Sequence, residues 1–281
     1  MKKLLFISLL LWGAGALQAQ EKSQSVYFNI GSGFHNLKYD LRNGTQESSM
    51  GYTVNLGYNY FFSKNWGLGA GLGLESFQSK ATLNYQTSKS SVDTDAESFE
   101  FRTQYTDWQE KQSILLLEIP ISLIYQKEMS EKLKFQFSIG PKVAFAVQSN
   151  YKTAGGTIET TGYYPQYNVI LYDMPQHNFT TLTSFPKSDT SLNPVVSAYS
   201  NLGGLYKLNN SMDLYAGVYF DYGLSNMIDA QDKFLYQEDG VYNGVFSSDL
   251  TNKVKQFAFG FKIGMNFRLG AKKAISIDEM H

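Results

Sequence analysis

Six charged residues, Glu75, Glu118, Lys142, Asp221, Lys262 and Arg268, fall on the small or polar row of segments whose opposite row is apolar. Acids and bases placed in this way fit two kinds of chemistry. One is a pathway that passes ions or protons between titratable groups. The other is a paired network filling an enclosed space, because buried charges persist only when partnered and hydrogen-bonded. The paired network is the simpler reading, since no nucleophile, base and orienting group fall into a recognisable catalytic arrangement.

Other chemistry is excluded more directly. "GLGAGLG", residues 67–73, has GxG spacing but lies inside an alternating strand, not between a strand and a helix, so it is not a phosphate loop. His35, His177 and His281 are scattered, without metal-ligand spacing. The absence of cysteine removes disulfides, thiol nucleophiles, thiolate metal ligands and a lipid-bearing N-terminal Cys. The chain is therefore read as non-enzymatic, with no cofactor and no metal. Asn43-Gly44 reads as turn chemistry.

The elements that position the six charges repeat with a period of two. Eight segments alternate: residues 26–39, 52–62, 66–76, 115–125, 133–148, 195–207, 214–223 and 255–269. The last sets Phe257, Phe259, Phe261, Ile263, Met265, Phe267 and Leu269 against Gln256, Gly260, Lys262, Gly264, Asn266 and Arg268. The third opposes Trp66, Leu68, Ala70, Leu72 and Leu74 to a row of glycines ending at Glu75. In the sixth, Ser200 interrupts the apolar row.

Composition agrees with strands. The 281 residues are 43% hydrophobic and 15% aromatic, with 20 Tyr, 20 Phe and 24 Gly. A formal net charge of −1 provides no basic field for nucleic acid. "MKKLLFISLLLWGAGALQAQ" has the charged, apolar and small-residue order of a secretory signal peptide with cleavage after Ala19. The expected division is a signal peptide over 1–19, a barrel over 20–270 and a short tail over 271–281. No later stretch approaches the ~18 apolar residues of a spanning helix.

Connection lengths alternate as well. Segments 62–65, 127–132 and 208–211 are short, whereas 41–49, 86–111, 150–194 and 226–252 are longer and polar. Tight turns at one end and long loops at the other predict an all-β fold: an eight-stranded antiparallel transmembrane β-barrel with short periplasmic turns and long extracellular loops. A closed sheet pairs every backbone group without water, as lipid requires. The apolar rows then face lipid and the charged rows face the lumen. Tyr58, Tyr60, Trp66, Tyr125, Tyr206 and Phe267 are expected in a periplasmic aromatic girdle. The three longest polar segments are expected to be open to external protease.

The signal peptide, the eight strands, "LEIPISLIY" at 117–125 and the closing "GFKIGMNFRL" together resemble the outer-membrane β-barrel family of Bacteroidota that includes PorT-like proteins. The resemblance implies residence in the cell outer membrane, in contact with outer-membrane lipid. It also implies insertion by the barrel-assembly machinery, with Lys262, Gly264, Phe267 and Leu269 similar to its recognition signal. Function is expected in the loops, as binding or structural work on an extracellular or envelope partner. Tyr163, Tyr164, Tyr167 and Tyr172 are the candidate contacts, because an aromatic loop marks an ordered or adhesive surface; the alternative reading of 150–194 is a continuation of its flanking strands above the membrane as a hairpin, and the two are compatible. The alternatives are an accessory part of a secretion or envelope-assembly machine and a narrow transporter of small hydrophobic solutes or ions.

Overall fold

The computed structural model describes residues 23–269, so the expected signal peptide and the tail over 271–281 lie outside the described residues. Alternating segments become long antiparallel strands: β1 (Ser23–Tyr39), β2 (Gly44–Phe61), β3 (Trp66–Val92), β4 (Ser98–Glu128) and β5 (Leu133–Tyr164). Three short strands follow, β6 (Val169–Leu171), β7 (Thr181–Leu182) and β8 (Ser188–Asp189), then β9 (Val195–Lys207), β10 (Met212–Gly223) and β11 (Val254–Leu269). Each long strand from β1 to β5 pairs with the next; β5 pairs with β9, and β9 through β11 continue the ring. β11 returns to β1 from Gln24↔Leu269 to Tyr39↔Val254, which closes the barrel at eight strands.

The wall faces lipid with the rows the sequence marks. Phe261 is 75% exposed, Ile263 56% and Leu72 54%, exposure that only a hydrocarbon surround makes favourable. At the periplasmic end Trp66 packs on Tyr125, with ring centroids 5.0 Å apart, among exposed Tyr58, Tyr206 and Phe267. Inward, the glycine row makes room. A Cβ on Gly71 would come 2.7 Å from the hydroxyl of Tyr27, whose ring lies along the inner wall from β1 over Gly57 of β2.

Two loops differ from the sequence reading, and a third, 150–194, in part continues its flanking strand as the alternative reading has it. Residues 86–111 are not a long loop: β3 runs to Val92, β4 starts at Ser98, and only 93–97 turn. Residues 150–164 extend β5, and β6, β7 and β8 pair along its upper half. β2 already starts at Gly44, leaving residues 40–43 as the first connection, with Asn43 at φ 58° in the left-handed region its turn requires. The physical reason is an inversion of the alternation. Within the membrane β3 and β4 point Gly73, Glu75 and Glu118 inward and Leu74 and Leu117 outward. Higher up, buried Phe77, Leu83, Phe101 and Tyr105 point inward while Gln86, Arg102 and Gln104 face out. The strand continues after lipid ends, with its polarity reversed to suit water.

The interior accordingly has two compartments. The membrane half is polar. The extracellular half is an apolar core in which Leu37, Phe77, Leu83 and Trp108 pack against Met227, Leu235, Val245 and Phe246. The latter four belong to the β10–β11 connection, which folds down into the barrel mouth and is not an open loop. External protease on intact cells is therefore expected to cut at 93–97 and within 165–194 and to spare 226–252. Mass spectrometry of the fragments reads the sites, and early cleavage in 226–252 would contradict the docking.

Candidate functional site

Four strands converge on one ammonium group. Lys142 on β5 lies 2.8 Å from Glu75 Oε2 on β3 and 2.5 Å from Glu118 Oε1 on β4, and it also pairs with Asp221 on β10. All four are nearly sealed, with relative exposures of 6% for Lys142, 1% for Glu75 and Glu118, and 2% for Asp221. Odd-numbered β3 and even-numbered β4 residues share the inner face, and the pairings Gly73↔Glu118 and Glu118↔Ala144 bring the rows level. The three carboxylates offer oxygens within 4.8 Å of one another, a spacing that suits a metal ion. Lys142 places its own cation there.

A second layer completes the cluster. His35 Nδ1 lies 2.9 Å from the Ser76 carbonyl and 3.5 Å from Glu75 Oε1. The carbonyl can only accept, which assigns the proton to Nδ1 and leaves Nε2 to accept from Tyr219 Oη at 2.5 Å. Gln256 Nε2 reaches Asp221 at 3.3 Å and Ser197 at 3.2 Å. Lys262 joins from the periplasmic side, 3.2 Å from Asn201 Oδ1 and 4.7 Å above the Tyr219 ring. Beside it is a polar cavity of about 60 Å³ lined by Tyr27, Asn29, Asn55, Ser138 and Asn201, room for a few waters.

Arg268 does not belong to this network. It pairs with Asp213, its Nε 2.9 Å from Oδ2, six positions along β11 from Lys262. Six residues of strand span roughly 20 Å, so sharing an inward row was not enough to bring it to the cluster.

Above the membrane half, Glu110 on β4 holds the docked connection. Its carboxylate accepts from Tyr242 Oη at 2.6 Å, Val245 N–H at 3.0 Å and Gln112 Nε2 at 2.9 Å. Tyr242 also accepts from Trp108 Nε1 at 2.9 Å and stacks on Phe185, centroids 4.4 Å apart. Burial pushes the Glu110 carboxyl above its ordinary value, against the lowering effect of these hydrogen bonds. Glu110 was legible by counting inward positions back from Glu118 in twos; the assumption that the strand ended with the membrane hid it.

A carboxyl raised in the docked state holds more protons than in the released state. Docking should thus weaken as pH rises from the ordinary carboxylate range through the raised value. Glu110→Gln keeps an acceptor and should flatten this dependence. Hydrogen exchange at 242–246 across pH measures both, and an equal slope in the variant would exclude Glu110 as the titrating group.

The four candidate tyrosines divide into two roles. Tyr164 donates to Asp93 at 3.1 Å and stacks on Phe99, and Tyr167 donates to Glu97 at 2.5 Å, so both tie the tip of the β3–β4 hairpin to β5. Tyr163 and Tyr172 stand on the outer face, the first stacked 3.8 Å from the Arg102 guanidinium and the second 65% exposed. Of the proposed assembly residues on β11, Lys262 is in the lumen, while Phe267 and Leu269 face outward at the periplasmic end.

Among solved structures, Neisserial surface protein A matches with a TM-score of 0.38 and 10% identity, covering 88% of this chain and 99% of that one. OprG of Pseudomonas aeruginosa matches with a TM-score of 0.38 and 12% identity, covering 90% and 99%. Ail of Yersinia pestis gives 0.33 and 11%, covering 89% and 100%. No curated protein matches the chain. The family profile described as outer membrane protein beta-barrel domain matches residues 18–191, more than half of the sequence, and the chain belongs to that family and to the outer membrane.

Proposed function

We propose that this outer-membrane barrel is a non-enzymatic surface protein whose work is done by the rigid extension that β3, β4 and β5 raise above the membrane. The observation that carries the reading is the pairing of these strands up to Val92↔Ser98 and Glu100↔Tyr163, far beyond the apolar belt, in a barrel whose mouth is filled by Val245 and Phe246. A scaffold this ordered presents side chains at fixed positions, which lowers the entropic cost of recognition. The same filling speaks against the narrow transporter: apolar side chains occupy the lumen above and a paired charge cluster occupies it below.

Deleting residues 165–183 should abolish binding to the outside partner and leave a heat-modifiable barrel. A pull-down from cross-linked envelopes identifies that partner, and planar-bilayer recordings of the wild type should stay silent. Steady conductance would overturn the reading in favour of the transporter.

A second reading, an accessory role in a secretion or envelope-assembly machine, is supported by the resemblance of "LEIPISLIY" and the closing strand to PorT-like proteins of Bacteroidota. It expects loss of secreted cargo in a deletion strain. Recognition of Lys262, Gly264, Phe267 and Leu269 by the barrel-assembly machinery belongs to either reading.

A further inference from the structure

The outward face of the extension carries a groove of about 410 Å³, bounded by Gln86, Arg102, Gln104, Glu159, Thr161 and Tyr172, with Ile170 at its rim. Strand register builds it. Gln86, Gln104 and Glu159 form one row across β3, β4 and β5, and Ser88, Arg102 and Thr161 form the next. β6 lays Ile170 beside Tyr163 at the far edge.

The polar groups are poised and largely unused. Arg102 is fixed by bonds of 2.9 and 2.8 Å from Nε and Nη2 to Glu100 Oε2 and by stacking on Tyr163, which leaves Nη1 free to donate. Gln104 spends its amide N–H on the Tyr105 carbonyl and keeps its oxygen free. Among the described residues, the Gln86, Glu159, Thr161 and Tyr172 side chains make no hydrogen bond within the chain. Donors and acceptors therefore alternate over a shallow surface with one exposed aromatic ring, Tyr172, at its side.

That combination selects a ligand class. Amide, carboxylate, hydroxyl and guanidinium groups set in register on paired strands suit vicinal hydroxyls, and a tyrosine ring suits the C–H face of a pyranose. Arg102 and Glu100 offset each other, so a single carboxylate, Glu159, remains and a polyanion is not favoured. Gln86 lies twelve residues along β3 beyond Leu74, roughly 30 Å above the apolar belt for a strand tilted by 35–45°. The groove opens sideways, away from the barrel axis and toward whatever stands on the same membrane.

We infer that this groove binds a neutral stretch of the polysaccharide chains carried by the surrounding outer-leaflet lipid. The inference rests on the surface-binding reading above and specifies its ligand. The probe is polysaccharide released from the host's own outer-membrane lipid by mild acid, titrated calorimetrically into the purified barrel in nanodiscs; a panel of neutral oligosaccharides of foreign origin is titrated separately.

The wild type should bind the host polysaccharide. Tyr172→Ala and Glu159→Ala should each weaken it about tenfold or more, while Tyr172→Phe retains binding. Unchanged heat-modifiability keeps a folding defect distinguishable, since the groove is remote from the barrel core. Failure of the wild type to bind host polysaccharide, equal binding by Tyr172→Ala and Glu159→Ala, or binding of foreign oligosaccharides alone would overturn the inference. If the envelope pull-down still yields a protein partner lost on deletion of 165–183, the surface-binding reading survives without the glycan.

Discussion

Replacing Lys142 with methionine is expected to destabilise the barrel by about 3–5 kcal/mol, because removing one member of a buried ionic group leaves its partners charged and unpaired. Here the loss is concentrated: Glu75, Glu118 and Asp221 all converge on the same ammonium, and each is buried. Folding equilibrium in lipid vesicles, followed by urea titration and heat-modifiability, measures the change. The neutral set Glu75→Gln, Glu118→Gln and Asp221→Asn placed on Lys142→Met should restore most of the loss. If Lys142→Met costs no more than a Lys64→Met control at an exposed periplasmic turn, the cluster is hydrated in the membrane and does not act as a sealed network.

Phe261→Lys should cost about 2–4 kcal/mol near the bilayer midplane, since the side chain is the most exposed large apolar group of the wall. Its neighbour makes an internal control. Lys262 points inward to Asn201 and the Tyr219 ring, and Lys262→Gln leaves the lipid face untouched and puts a neutral polar group in a polar lumen. Unfolding free energies in the same bilayers should rank Phe261→Lys as the more damaging. The opposite ranking would mean that the lumen network outweighs lipid exposure, and negligible effects of both would argue that β11 does not cross the membrane.

These two neighbours also mark what could be read from the chain. Inside the membrane, lipid forces one row to be apolar and closure forces the other to be small or polar, so the alternation of Phe261 with Lys262 announces strand, facing and barrel together. Beyond it, the constraint on each row changes. Tyr105 and Phe101 turn inward to an apolar core and Gln104 and Arg102 turn outward to water, so the pattern that identified the lower strands reverses and the upper halves pass for loops. Partnership was less legible than facing. Parity placed Lys142 and Arg268 inward alike, but only register decides that the first meets three carboxylates and the second meets Asp213. The descent of Met227, Leu235 and Val245 into the mouth left no periodic trace, because a connection packed by irregular backbone has no fixed repeat.

The position of that descending connection has a consequence for maturation. It lies between β10 and β11, and β11 is the strand that meets β1, joining Gln24 to Leu269 across nearly the whole sequence. Closing so long a loop is the entropically most demanding pairing in the barrel. The segment that fills the mouth crosses to the outside immediately before it. Sealing of the last sheet edge and drying of the extracellular core therefore both fall to the one stretch from Met227 to Leu269. A chain halted ahead of Met227 would lack both together, exposing the β1 edge at one seam and the unfilled apolar walls around Phe77 and Trp108 at the top, the two surfaces on which a quality-control protease can act.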